Sequence, residues 1–532
     1  MLPIPTRDAI AAFAGAVFVL AVGLALRSSF AITMASTFFV GLALVLGATM
    51  PLGRRLRRER LEFAWWLDHG TGVASGAVIP QSPFDVRCYV RHRGSRPLDV
   101  SELEPLLPES VSLVGRPRAI RLDGRTRTEF RLRLAAPATG RVVLHGLAIR
   151  LRGPLGLFDT PLYFPNPLVI KVLPRAAARQ PRARSMHRHA SMARAGRTMV
   201  RHRGGGTELH ELREFLPGDP FKSIAWKASA RRGRLMIKEV EQEVQETRWL
   251  LVDISGTMRG GPLGGRKLDF ALEAAAAEAV DALESGDRVG LLTFDSRLVA
   301  HAPPGEGKAQ RIRIYDALLA STEIVDEDLT DIEDGGLVGL VARYVRQQDG
   351  IDFERRGEID VAGLLAHARK SLGDERERDV QASSPLGRTL RQFCQARGLP
   401  LPHRADADHR KTQALAQALQ LVGGRSRSPT SILVCTDFDG VLDPSPVVAS
   451  LKLVRAHGHR VAFVLPDGRG FASEPTTVLE RDLSRVYGRS ESRRLAETRS
   501  LLGKMGIVAL VASAGDSPAL IAGRARGARR AA

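Results

Sequence analysis

The period of the hydrophobic pattern changes along this chain, and the changes divide it. Ala9 to Leu26 and Phe30 to Leu52 are uncharged apolar runs separated only by Arg27, Ser28 and Ser29. Each is long enough to cross a bilayer as a helix, so the pair predicts a tight transmembrane hairpin. Between 61 and 174 the pattern turns to period two: DVRCYVRH, TEFRLRL and RVVLHGLAIRLR alternate apolar and polar residues between Gly and Pro turns. That is the mark of half-buried antiparallel strands and predicts a small β-sandwich. GPLGLFD, ending at Asp159, reads as a turn entering the strand VIKVLP.

From 247 onward, short apolar runs alternate with helical patterns. RWLLVDIS, RVGLLTFDS, TSILVCTDFD, RVAFVLPDG and GIVALVASA read as strands; KLDFALEAAAAEAVDALE and PVVASLKLVRAHG read as helices. Such alternation predicts a parallel sheet covered on both faces. The run 321–411 breaks the rhythm and reads as a helical insertion. The expected fold is therefore multidomain: a helical hairpin (1–60), a β-sandwich (61–174), a basic linker (175–206), a clasp (207–246), and a doubly wound α/β domain in two parts (247–320 and 412–520) around the insertion, ending in a basic tail (521–532).

Composition adds location. There are 78 Lys and Arg against 58 Asp and Glu, a net charge of +20 that favours anionic partners. Arg54, Arg55, Arg57, Arg58 and Arg60 follow the second apolar run directly; by the positive-inside rule they stay in the cytoplasm, with everything after them. Only Arg7 precedes the first run, beside Asp8, and a second span follows at once, so the hairpin reads as a retained membrane anchor. Cys88, Cys394 and Cys435 are too few and too scattered for a disulfide framework. The linker carries Arg182, Arg184, Arg188, Arg194, Arg197, Arg201 and Arg203 without interleaved aromatics, which suits a tether near lipid better than single-strand nucleic-acid binding. His187 and His189 within it read as solvated.

The candidate chemistry lies at strand ends. LLVDISGTM places Asp253, Ser255 and Thr257 on a loop after an apolar strand, where open α/β sheets bind ligands. A carboxylate and two hydroxyls so spaced suit a hard divalent cation such as Mg²⁺ or Mn²⁺. The acidic run Asp326, Glu327, Asp328, Asp331, Glu333 and Asp334 lacks the order of a calcium loop and reads as a solvated face. His403, Asp406, Asp408 and His409 are metal-capable but sit in a polar loop. Gly260 to Gly265 has phosphate-loop glycines, yet Arg266 and Lys267 follow where Lys-Ser/Thr is required, so it reads as a flexible loop.

The loop resembles the metal-ion-dependent adhesion site, D-x-S-x-S, of von Willebrand factor A domains. The block GGGTELHELREFLPGDPFKSIAWKASARRGRLMIKEVEQE, from Gly204, resembles the signature of the domain of unknown function 58 family, which accompanies such a fold. Leu212, Arg213, Glu214, Phe215, Pro217, Gly218, Asp219, Ile224, Trp226, Lys227, Ser229, Ala230 and Arg231 carry the match; Lys222 and Ala225 depart from it, where the family usually has Arg and Asp. Physically the block reads as a structural clasp, with Trp226 pinning its turn. The resemblance implies two further metal ligands: Thr412 from a facing loop and Asp437 at a later strand end. It also implies a membrane-anchored, metal-dependent protein-binding adaptor for a MoxR-type AAA+ ATPase or its client, with no small-molecule substrate.

An enzyme reading competes. CTDFDGVL, with Asp437 and Asp439, resembles the first motif of haloacid-dehalogenase phosphatases, with Lys504 and Asp516 as further candidates. Too little chain follows for a full domain of that kind, and the upstream block would be left unexplained.

Overall fold

Two apolar helices, Arg7–Ala25 and Ser29–Glu59, lead the chain. The stretches Arg7–Ala25 and Ser29–Met50 both have mean hydropathy 2.1 and are long enough to cross a membrane. This computed structural model describes residues 3–59, 61–68, 78–94, 98–115, 121–122, 126–178, 208–216, 221–241, 245–372, 380–404, 408–425, 428–439, 443–472 and 475–531. They group into two units. One comprises Met1–Arg179, Ile254–Leu272 and Leu318–Ala407; the other comprises Gln180–Asp253, Glu273–Ala317 and Asp408–Ala532.

In the first unit two antiparallel sheets share a core. One contains Leu61–Leu67, Pro83–His92, Arg127–Ala135 and Ser112–Leu113; the other is built on the long pair Gly140–Arg152 and Phe158–Val172. Period two does the work: Phe84, Val86, Cys88 and Val90 are buried while the residues between them are not. Val86, Cys88, Leu132 and Leu134 of the first sheet pack with Val142, Leu144, Ile170 and Val172 of the second. The GPLGLFD turn forms at Pro154–Gly156, with Leu155 at φ 58°. An unforeseen strand, Ile4–Pro5, pairs with Phe158 and Asp159, so the residues ahead of the first apolar helix join the second sheet.

The insertion contains the helices Asp334–Gln348, Val361–Leu372 and Pro385–Arg397. Leu337, Val341, Val345, Leu364, Leu390 and Phe393 give it its own core. It packs on the sandwich. Arg141 pairs with Glu323 at 3.2 Å, and Gly350, at φ 68°, lies so close to Tyr163 that a Cβ there would come within 2.6 Å of the ring. The acidic run is more than a solvated face. Asp326 accepts from the Gln381 N–H, Glu327 from the Ser383 N–H and hydroxyl, and Asp334 from the Ser384 hydroxyl. These carboxylates satisfy donors ahead of the Pro385 helix, whose first turn is capped by Ser384.

The second unit holds a six-stranded sheet in the order Leu298–Gly305, Arg288–Phe294, Thr247–Asp253, Ser431–Cys435, Arg460–Pro466, Val508–Ala512. Its pairings are parallel except for the first, which is antiparallel. The expected all-parallel sheet is therefore mixed: LVAHAPPG, with its two prolines, forms an edge strand that period alone did not reveal. Trp249 and Leu251 pack with Leu415, Leu419, Val447 and Leu451 from the helices Asp408–Arg425 and Ser445–Ala456. The stretch 521–532, expected as a tail, lies largely in the helix Pro518–Ala531. Ile521, Ala522 and Ala525 are buried there, and Arg526 pairs with Glu278 at 2.6 Å.

Candidate functional site

The central strand Thr247–Asp253 is buried from Arg248 onward, which is why its sequence is an unbroken apolar run from Trp249 to Val252. It lies parallel to Ser431–Cys435 with Val252 opposite Cys435, so both strands end at the same sheet edge. The chain leaves the central strand towards one side and returns on the other, which makes this edge the topological switch point. Thr436 Oγ1 donates to Asp253 Oδ2 at 2.6 Å. Phe438 then turns the chain at φ 52°, an uncommon conformation for a bulky residue, with its ring 5.5 Å from that of Phe463. The turn lets the Asp439 N–H donate to Asp437 Oδ1 at 3.0 Å.

Between the carboxylates sits a residue that the strand-end motifs did not reveal. Lys411 Nζ lies 2.7 Å from Asp253 Oδ2 and 2.7 Å from Asp437 Oδ1, and all three side chains are buried. Burial works to lower the lysine pKa, but Asp253 and Asp437 override it and hold the ammonium above its usual range. The signal was present in the helix Asp408–Arg425. Lys411 stands four residues before Leu415, and Ala418 and Val422 continue the same buried face.

Thr412 follows on this helix, buried, with its Oγ1 making no hydrogen bond. The helix starts at Asp408, so Thr412 lies in its second turn rather than opening it. Ser255 and Thr257 belong to the other unit, where Gly256–Met258 forms a 3-10 turn and the two hydroxyls lie 3.1 Å apart.

Asp253 and Asp437 thus both reach the Lys411 ammonium, and the Thr412 hydroxyl on the same helix is a buried oxygen without a hydrogen bond. Among the described residues no three His, Cys, Asp or Glu side chains gather into a metal set. A divalent ion bridging the same two carboxylates would lie against the Lys411 ammonium. At ~3 Å and an effective dielectric constant of about 20, that repulsion is on the order of 10 kcal/mol. With Lys411 in place, the residues present do not fit a divalent ion.

The other candidates resolve into local roles. Asp439 pairs with Arg494 at 2.6 Å, and Asp516 accepts from the Ser513 N–H at 2.8 Å. Lys504 lies in the last turn of the helix Val478–Lys504. The glycine loop is tied down: Asp269 accepts from the N–H groups of Gly264 and Arg266 and pairs with the Arg266 side chain at 2.7 Å. Burial pushes His403 down to about 4, with Arg259 adding to the effect. Asp406, His187, His189 and most of the basic linker lie outside the described residues, as do the side chains of Asp408 and His409.

The clasp is a hairpin, Glu208–Glu214 against Met236–Glu241, closed by the short helix Trp226–Arg232 and Gly233. Ser229 is its latch. Its hydroxyl donates to the Ala225 carbonyl at 3.0 Å and accepts from the Met236 N–H at 2.8 Å. Trp226, expected to pin the Pro217–Asp219 turn, is 65% exposed, whereas Ile224, Ala225 and Met236 are buried; the turn itself lies outside the described residues.

Residues 211–334 match the family described as Protein of unknown function DUF58. The match begins within the clasp and takes in Asp253, Ser255 and Thr257. An uncharacterized protein of Mycobacterium tuberculosis is 29% identical over 105 residues, 20% of this chain and 33% of its own length. The uncharacterized protein YeaD of Bacillus subtilis is 28% identical over 120 residues, 23% of this chain and 29% of its own. The chain thus spans about a third of the length of these relatives. A solved protein of unknown function from Porphyromonas gingivalis aligns with 23% of this chain and 51% of its own at 20% identity, with a TM-score of 0.16.

Proposed function

We propose that this chain is a membrane-anchored protein-binding adaptor whose docking centre is the sheet edge at Asp253, Lys411 and Asp437. The observation that carries the reading is that two carboxylates, one closing a strand and one just past the adjacent strand, share the Lys411 ammonium at the switch point of the sheet. The strand order, with a central first strand and one antiparallel edge strand, supports a von Willebrand A-like domain. The anchor is the pair of apolar helices, and the arginines after them favour a cytoplasmic docking face. The partner that the family resemblance points to is a MoxR-type AAA+ ATPase or its client.

The test is capture of a purified MoxR-type ATPase by the full-length protein in detergent micelles. Asp439→Ala and Arg494→Ala alter partly exposed groups beside the centre and leave the buried ion cluster whole. The adaptor reading expects each to weaken capture several-fold. Equal capture by both variants and the native protein moves the docking site elsewhere. Phosphate release from p-nitrophenyl phosphate that disappears in Asp437→Asn would favour the phosphatase reading instead.

A further inference from the structure

The two carboxylates at the switch point need a counter-charge, and one is supplied from within the chain. We propose that Lys411 is the resident cation of this site, standing where a von Willebrand A-like domain would hold a divalent ion, so that the site assembles without metal. This rests on the reading of the sheet edge as the docking centre.

Three observations carry it. The ammonium contacts one oxygen of each carboxylate at the same 2.7 Å, so it bridges them rather than pairing with one. Lys411 is no surface residue reaching inward. It stands on the buried face of its helix, in line with Leu415, Ala418 and Val422, so the packed helix fixes where the charge goes. The charge left over, one negative unit for two carboxylates and one ammonium, is shared by polar donors: the Thr436 hydroxyl on Asp253 and the Asp439 N–H on Asp437.

A metal can leave an open coordination position for a partner's carboxylate; a buried ammonium leaves none. Among the described residues, the partly exposed Asp439 and Arg494, paired at 2.6 Å, are groups beside the centre that a partner can meet. Partner capture through this site would be insensitive to chelators.

The experiment is a Mn²⁺ titration of the full-length protein in detergent micelles, followed by loss of the free-ion electron paramagnetic resonance signal. Thermal unfolding in Mn²⁺ and in EDTA runs alongside. Native protein is expected to take up no Mn²⁺ at this site and to unfold at the same temperature in both. Lys411→Ala is expected to take up Mn²⁺ and to be stabilised by it, because the carboxylates are then without their cation. Stoichiometric uptake by native protein that is lost in Asp253→Asn overturns the proposal; so does a folded Lys411→Ala that takes up none. If Lys411→Ala does not fold, the native titration decides alone. Capture of the nucleotide-free ATPase that vanishes in EDTA defeats the lysine role and leaves the adaptor reading standing. Capture that fails under every condition defeats the adaptor reading and leaves the Mn²⁺ result untouched.

Discussion

The Tyr344 hydroxyl lies 2.7 Å from Nδ1 of His145, and both groups are buried. The bond joins the first helix of the insertion to the longest strand pair of the sandwich. Burial pushes His145 down to about 4; Arg397 adds to the shift and Asp349 opposes it. Burial also raises the Tyr344 phenol, so the bond joins two neutral groups.

That arrangement predicts an acid limb. The unfolded histidine titrates near 6.5, the folded one near 4, so the unfolded state takes up the proton first as pH falls. The stabilisation is fully present above about pH 6.5 and is lost on the way down to about pH 4; a shift of this size corresponds to roughly 3 kcal/mol. Urea midpoints measured across this range should fall more steeply for the native protein than for His145→Gln. His403 shares the window, so some slope remains in the variant.

Lys411→Met removes the cation and keeps the length of the side chain. Two buried carboxylates then face each other, and we expect a loss of about 3–5 kcal/mol. Chemical unfolding checks this. A loss below about 1 kcal/mol would mean that the cluster relaxes into water.

The clasp gives a paired prediction. Ser229→Ala strands the Met236 N–H in a buried place and should cost about 1–3 kcal/mol. Trp226→Ala alters an exposed side chain and should change stability by no more than about 0.5 kcal/mol. If Trp226→Ala weakens partner capture while stability holds, the exposed ring is a contact residue.

Cys88, Cys394 and Cys435 are buried and in no disulfide, and burial pushes the thiols of Cys88 and Cys394 up to about 12. Iodoacetamide should leave all three unmodified in the folded protein and label them on unfolding, as mass spectrometry would show.

Much of the architecture was legible in the order of residues, because burial imposes a period. Two long uncharged runs became two helices, alternation at Phe84 to Val90 became a strand with one inward face, and Trp249 to Val252 became a buried strand. Leu298–Gly305 escaped because an edge strand buries little and so carries a weak pattern. The helix Pro518–Ala531 escaped because its arginines look solvated until Arg526 is seen beside Glu278.

By itself the sequence determined that Asp253 closes one strand and that Asp437 lies just past another, since an apolar run closed by a polar turn needs no distant information. Only the tertiary structure decided that they share one cation and that this cation is Lys411. The helix bearing Lys411 is adjacent to neither strand's end in the order of the chain. Which charge meets which depends on helix packing across the sheet, and no local period records that.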